Sequence, residues 1–154
     1  MRKYLLIIGM ILLGLSSCNL SKKQDALLSR TFPTSNWERF DFVKAEIDLK
    51  KPVTYDLVLN VTFDPSYSYS YLSVVFTIFD DNDNPFRTKG YKFYLKEKDG
   101  SWKSTLTDGC YHFSFPINSE LTINEPGKYN FQLENRMPIT PLAGIKSVEI
   151  VNTK

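Results

Sequence analysis

The 154-residue chain holds one histidine, His112, and two cysteines, Cys18 and Cys110. That supply excludes a structural zinc site, which takes about four ligands. The longest apolar run, residues 4–15, is interrupted by Gly9 and Gly14 and falls far short of the ~20 residues a helix needs to span a bilayer. Basic clusters are missing too, and with them any electrostatic reason to expect nucleic acid as a partner. No internal repeat is visible, and no segment beyond residue 36 shows helical periodicity.

What is present at the N-terminus is a graded signal. Arg2 and Lys3 form a basic start, residues 4–15 are the apolar stretch, and Leu15-Ser16-Ser17-Cys18 sets small residues before a cysteine. These three zones describe a cleaved export signal. Leu-Ser-Ser-Cys matches a bacterial lipobox, so Cys18 is the expected lipidation site and the mature N-terminus, with residues 1–17 removed. Several acyl chains on one cysteine anchor firmly, since each buried CH₂ contributes ~0.8 kcal/mol. The residues that follow, Asn19-Leu20-Ser21-Lys22-Lys23-Gln24-Asp25, lack an acidic cluster that would promote surface export. The expectation is a cell-envelope protein whose lipid holds it to the outer membrane, facing the periplasm.

Cleavage changes the charge balance. Arg2 and Lys3 leave, so Lys plus Arg falls from 19 to 17, equal to the 17 Asp plus Glu. With Cys18 lipidated, Cys110 is the one free thiol and no disulfide forms within the chain. An unpaired thiol in an oxidising compartment is expected to be buried.

Residues 18–36 read as a polar tether with a helical turn at Ala26-Leu27-Leu28, and residues 37–154 as the folded domain. The domain alternates. Phe40 and Phe42 share one parity and Ala45, Ile47 and Leu49 the other, which predicts a bulge near Val43-Lys44. Tyr55, Leu57, Leu59, Val61 and Phe63 form the clearest buried face, followed by Leu72, Val74, Phe76 and Ile78. Tyr91, Phe93 and Leu95 alternate, as do Tyr111, Phe113 and Phe115, then Leu121 and Ile123, then Tyr129, Phe131 and Leu133, with Val148 and Ile150 last. Asp99-Gly100 and Pro126-Gly127 supply turns. About eight short strands separated by turns predict an all-β antiparallel sandwich, jelly-roll-like.

Candidate chemistry is sparse. Cys110 and His112 lie on one strand face, but same-face neighbours stand ~7 Å apart. A nucleophile and its base need ~3 Å, so the pair reads as a buried thiol beside a half-buried imidazole and no catalytic residue is assigned. Asp80, Asn82 and Asn84 give an oxygen-rich loop with the opening of a calcium site. Pro85 stands where such a loop needs its turn glycine, and Tyr91 where it needs a glutamate. Asx-turns account equally for that composition, leaving Ca²⁺ as the one candidate cofactor. Tyr67, Tyr69 and Tyr71 alternate in a run read as one strand face. With Trp37 or Trp102 they form a candidate ligand or partner surface, whether for stacked sugar or for protein packing.

The order of motifs from Trp37 onward resembles the GldH family of gliding-motility lipoproteins from Bacteroidetes. Asn36-Trp37 opens the resemblance, followed by the strand with Phe40 and Phe42 and by the tyrosine-rich residues 66–72. Asp99-Gly100-Ser101-Trp102 matches an Asp-Gly-x-Trp hairpin, and Pro126-Gly127-Lys128-Tyr129 a Pro-Gly-x-Tyr turn. Asn135-Arg136-Met137 and Leu142-Ala143-Gly144-Ile145 close it. Residues 103–107 depart from the glycine-rich stretch the family often carries there. The resemblance implies a non-enzymatic envelope component of the gliding machinery, linked to type IX secretion and partnered by other envelope proteins. The alternative is a glycan-binding lipoprotein of a polysaccharide-uptake system.

Overall fold

The computed structural model describes residues 26–154. The export signal, Cys18 and the first part of the tether lie outside them. Two antiparallel sheets face each other. One runs in the order β1 (Ala26–Thr31), β11 (Ile145–Asn152), β4 (Val53–Phe63), β8 (Cys110–Ile123) and β7 (Leu106–Thr107). The other runs β3 (Val43–Leu49), β9 (Gly127–Asn135), β5 (Tyr71–Phe79) and β6 (Pro85–Tyr94). A third, minimal sheet joins β2 (Asn36–Trp37) to β10 (Leu142–Ala143). The described residues contain no helix, as the periodicity predicts.

Parity builds the core. Tyr55, Leu57, Leu59, Val61 and Phe63 of β4 are all buried, and so are Leu72, Val74, Phe76 and Ile78 of β5. Tyr129, Phe131 and Leu133 of β9 join them from the facing sheet, with Phe131 edge-on to Tyr55 at 6.0 Å and to Phe76 at 5.7 Å. Each fully buried side chain of this size contributes roughly 1.5–3 kcal/mol.

Four local expectations are corrected. Ala26–Thr31 is not a helical turn in a tether but the edge strand β1, paired with β11 from Ala26↔Val151 to Thr31↔Ser147. One-sided burial of Leu28 against the core drives this, since a short polar helix would leave that side chain in water. Phe40 lies outside any strand, at φ +65° and 69% exposed, in a turn held by the Trp37 Nε1–H bond to the Asp41 carbonyl (2.8 Å). β3 consequently pairs with β9 in unbroken register, without the expected bulge. Residues 111–115 and 121–123 belong to one long strand, β8, kinked where Glu120 takes φ +53° and its N–H donates to the Asp56 carboxylate at 2.7 Å.

The strand ends define two poles. Ala26, Val151, Val53, Ile123, Leu49, Gly127 and Phe79 lie at one pole, which receives the chain from the N-terminus. Thr31, Phe63, Tyr71, Tyr111, Asn135 and Ile145 lie at the other.

Candidate functional site

The far pole is tied together by residues distant in sequence. Trp37 is fully buried, stacks on Phe32 at 5.3 Å and pairs through its backbone with Leu142. Asn135, also buried, donates from Nδ2 to the Trp37 carbonyl (3.3 Å) and accepts the Met137 N–H on Oδ1 (2.9 Å). Gly144 and Ile145 both donate to the Ser35 carbonyl, at 2.7 and 3.1 Å, and Gly144 accepts the Asp64 N–H at 2.9 Å. These bonds satisfy backbone groups that packing has removed from water. The arrangement is structural.

The chemistry that faces solvent lies between the sheets on the β6–β8 side. Tyr91 and Phe93 point inward from β6, Tyr111, Phe113 and Phe115 from β8, and Trp102 from the hairpin between them; all six are half-buried. Their rings form a row. Tyr91 stacks on Phe93 (5.7 Å), Phe93 on Phe115 (4.1 Å), Phe115 on Phe113 (5.5 Å), and Trp102 on Tyr111 (4.1 Å). Phe113 links the two groups through Trp102 at 6.1 Å. Such offset pairs add ~0.5–1.5 kcal/mol each beyond burial. The Tyr91 hydroxyl donates across the gap to the Ile117 carbonyl. Burial raises the Tyr91 phenol, and Arg87 nearby works against that shift.

Cations border this seam. Lys96 sits over Trp102 at 4.7 Å and donates to the Tyr67 carbonyl at 3.3 Å. Lys89 sits over Tyr91 at 5.1 Å, and Lys92, on the outer face, over Tyr71 at 4.1 Å and Tyr94 at 5.5 Å. Positive charge over a ring face is favourable by ~0.5–1 kcal/mol at exposed sites.

The predicted tyrosine row does not form one surface. Only Tyr71 stands in a strand; Tyr67 and Tyr69 lie in the loop before it. Tyr67 is 1% exposed, packed edge-on to Phe63 at 4.8 Å, with its hydroxyl donating to the Tyr71 carbonyl at 2.7 Å. Burial pushes its phenol well above the usual tyrosine range. Alternate spacing here comes from a turn built on Asp64, whose side chain accepts the Ser66 N–H, and not from a strand. Trp102 alone of the four belongs to the seam, and with Tyr67 sealed the four side chains do not share one exposed face.

The acidic loop also resolves. Asp80 Oδ1 accepts the N–H groups of Asn82 and Asn84, each at 2.9 Å, and Asp80 Oδ2 accepts Asn84 Nδ2 at 3.3 Å. These bonds hold the Asp80 carboxyl below its ordinary range. Its oxygens are engaged in closing the hairpin. Among the described residues no group of three His, Cys, Asp or Glu side chains is placed to hold a metal ion. Cys110 is half-buried, not sealed in the core as expected, and His112 is exposed with Nδ1 3.3 Å from the Thr62 hydroxyl. Cys18 falls outside the described residues.

Sequence reasoning missed the seam because its aromatics alternate like any core strand. The available signal was charge: Arg87, Lys89 and Lys92 with no acidic residue from Phe86 to Lys96.

Fold and surface together define an all-β sandwich with an aromatic seam along one open side. The chain belongs to the GldH lipoprotein family, whose model matches residues 28–151, from within β1 to within β11. It is therefore a lipoprotein of a family linked to gliding motility, which is not an enzyme family. No curated protein matches the chain.

Proposed function

We propose that this protein is a non-enzymatic interaction module, lipid-anchored through Cys18 to the outer membrane on its periplasmic face, within an envelope complex serving gliding or type IX secretion. The observation that carries the reading is the half-exposed row Tyr91–Phe93–Phe115–Phe113–Trp102–Tyr111 on a member of this lipoprotein family. Aromatic side chains with one wet edge are the residues that anchor protein interfaces.

The anchor would also orient the module. Eight residues of advance separate Cys18 from Ala26, a reach of at most ~28 Å when fully extended. The eleven residues of β4 already extend ~36 Å. The Ala26 pole then faces the bilayer, and the pole carrying Trp102 projects away from it.

The test is affinity purification of the lipidated protein from its own envelope, compared with Cys18→Ser. Co-purifying envelope proteins, with the Cys18→Ser chain released from the membrane fraction, are expected. Recovery of polysaccharide without protein would overturn the interaction reading, and unchanged membrane attachment of Cys18→Ser would overturn the anchor.

A further inference from the structure

We infer that the open edge of β6 takes up an extended acidic segment of a partner protein as an additional strand. This rests on the interaction-module reading and names what the seam would hold. Among the described residues β6 is the last strand of its sheet and pairs only with β5. Its residues Arg87, Lys89, Tyr91 and Phe93 stand opposite Ile78, Phe76, Val74 and Leu72, all buried. Side chains directly opposite in a pair share a face, so these four also point between the sheets.

At the edge they are not sealed. Arg87 and Lys89 are exposed and Tyr91 and Phe93 half-exposed. Arg87 and Lys89 line a groove with residues 116–119 of β8, and Phe115 continues the wall toward the far pole. A strand added beyond β6 would follow this groove, presenting alternate side chains to it every ~7 Å. Those inward positions meet two cations and then two aromatic rings. The complementary segment carries acidic side chains at two alternate positions and apolar ones at the next two.

Charge selects the class of partner. Among the described residues, Arg87, Lys89 and Lys92 enter none of the ion pairs, which involve Arg30, Lys50, Lys128, Arg136 and Lys146. Lysines on an edge also discourage pairing with a second copy of the same strand, whose charges would repel. An acidic strand reverses that repulsion. Asn118, which lines the same groove, holds its Nδ2 buried without a hydrogen-bond acceptor. Strand addition of this kind takes affinity from main-chain bonds and specificity from alternate side chains.

The experiment uses the full-length lipidated protein in its own envelope, with a benzophenone amino acid at Thr88 on β6 and, separately, at Glu46 on the opposite edge strand β3. Irradiation is followed by mass spectrometry of the joined peptides. The expected result is a protein adduct at Thr88 whose peptide carries alternating acidic residues. A synthetic copy of that peptide should protect β6 amides from hydrogen exchange and bind at least tenfold more weakly to Arg87→Glu/Lys89→Glu. The milder pair Arg87→Gln/Lys89→Gln, checked for an unchanged unfolding midpoint, should show the same direction. A lipid or glycan adduct, a peptide without acidic residues, or protection on another strand overturns the inference. Protein adducts at Glu46 with none at Thr88 overturn this docking site and spare the interaction module; no protein adduct from either position overturns both.

Discussion

Gly144 lies against the backbone of Tyr67 so closely that a Cβ added to it would stand 2.7 Å from the Tyr67 Cα and 2.8 Å from its N. Its φ of +88° adds a second reason for glycine, since side-chain-bearing residues rarely adopt that conformation. Gly144→Ala should therefore lower stability by roughly 2–4 kcal/mol, combining backbone strain with overpacking against main chain that cannot swing away. Equilibrium denaturation measures it; a loss under ~0.5 kcal/mol would show that the two segments are not held together.

Asn135 joins the same pole by other means. Asn135→Leu removes its bonds to the Trp37 carbonyl and the Met137 N–H, leaving both without that partner in a dry setting. Two unsatisfied groups at ~1–3 kcal/mol each predict a loss of roughly 2–4 kcal/mol, read by thermal or chemical unfolding. Asn135→Asp, which keeps the acceptor, should retain the Met137 bond and recover part of the loss below the carboxylate range.

Three turn aspartates should give the fold an acid limb. Backbone and side-chain donors from Ser66, from Asn84 and Asn82, and from Ser101 hold the carboxyls of Asp64, Asp80 and Asp99 below the ordinary 3.8. A depressed folded-state pKa contributes stability above the unfolded value and loses it as pH falls through the folded value. Stability should thus be insensitive to these groups at neutral pH and decline below about pH 4. Carboxyl NMR titration checks the direction, and each Asp→Asn variant should flatten the decline.

The alkaline limb has the opposite sign. Burial raises the phenols of Tyr67, Tyr55 and Tyr91 above their ordinary 10.0. A raised folded-state pKa means stability is complete below the unfolded value and lost as pH rises through the folded one. Absorbance of phenolate should lag behind that of free tyrosine above pH ~10 and then rise together with unfolding. In Tyr67→Phe the part of this alkaline loss that belongs to Tyr67 should vanish, although the variant forfeits the bond to the Tyr71 carbonyl. Phenols titrating normally in the folded chain would contradict the packing.

Cys110 and His112 should prove dispensable. Cys110 is half-buried and His112 exposed, so Cys110→Ser and His112→Ala should each change stability by less than ~1 kcal/mol. The Cys110 thiol should react with a maleimide in the folded protein, without denaturant. Complete protection, or a loss of several kcal/mol in Cys110→Ser, would place that residue deeper than its strand position implies.

The strands were legible wherever one face is buried, because a period of two cannot be shifted by one residue without turning the core outward. β4, β5 and β9 show this, from Tyr55 to Phe63, Leu72 to Ile78 and Tyr129 to Leu133. The rule misled at Tyr67, Tyr69 and Tyr71, where alternation arises in a turn, and at Phe40, whose positive φ is set by contacts around Trp37 and Asp41. β1 was hidden because an edge strand buries little: Leu28 alone of its residues is fully covered.

By itself the sequence determined the all-β antiparallel class, the parity of the core, and the family, whose weak motifs persuade through their order. Periodicity and turn chemistry are local properties, written in neighbouring residues. Only the tertiary structure decided which aromatics are core and which are seam. Tyr67 and Phe115 look alike in one dimension, yet Tyr67 is sealed under Gly144 and Phe63 while Phe115 stacks on Phe93 at an open edge. Burial depends on where a strand falls in its sheet and on what faces it across the sandwich. Those relations join residues far apart in the chain.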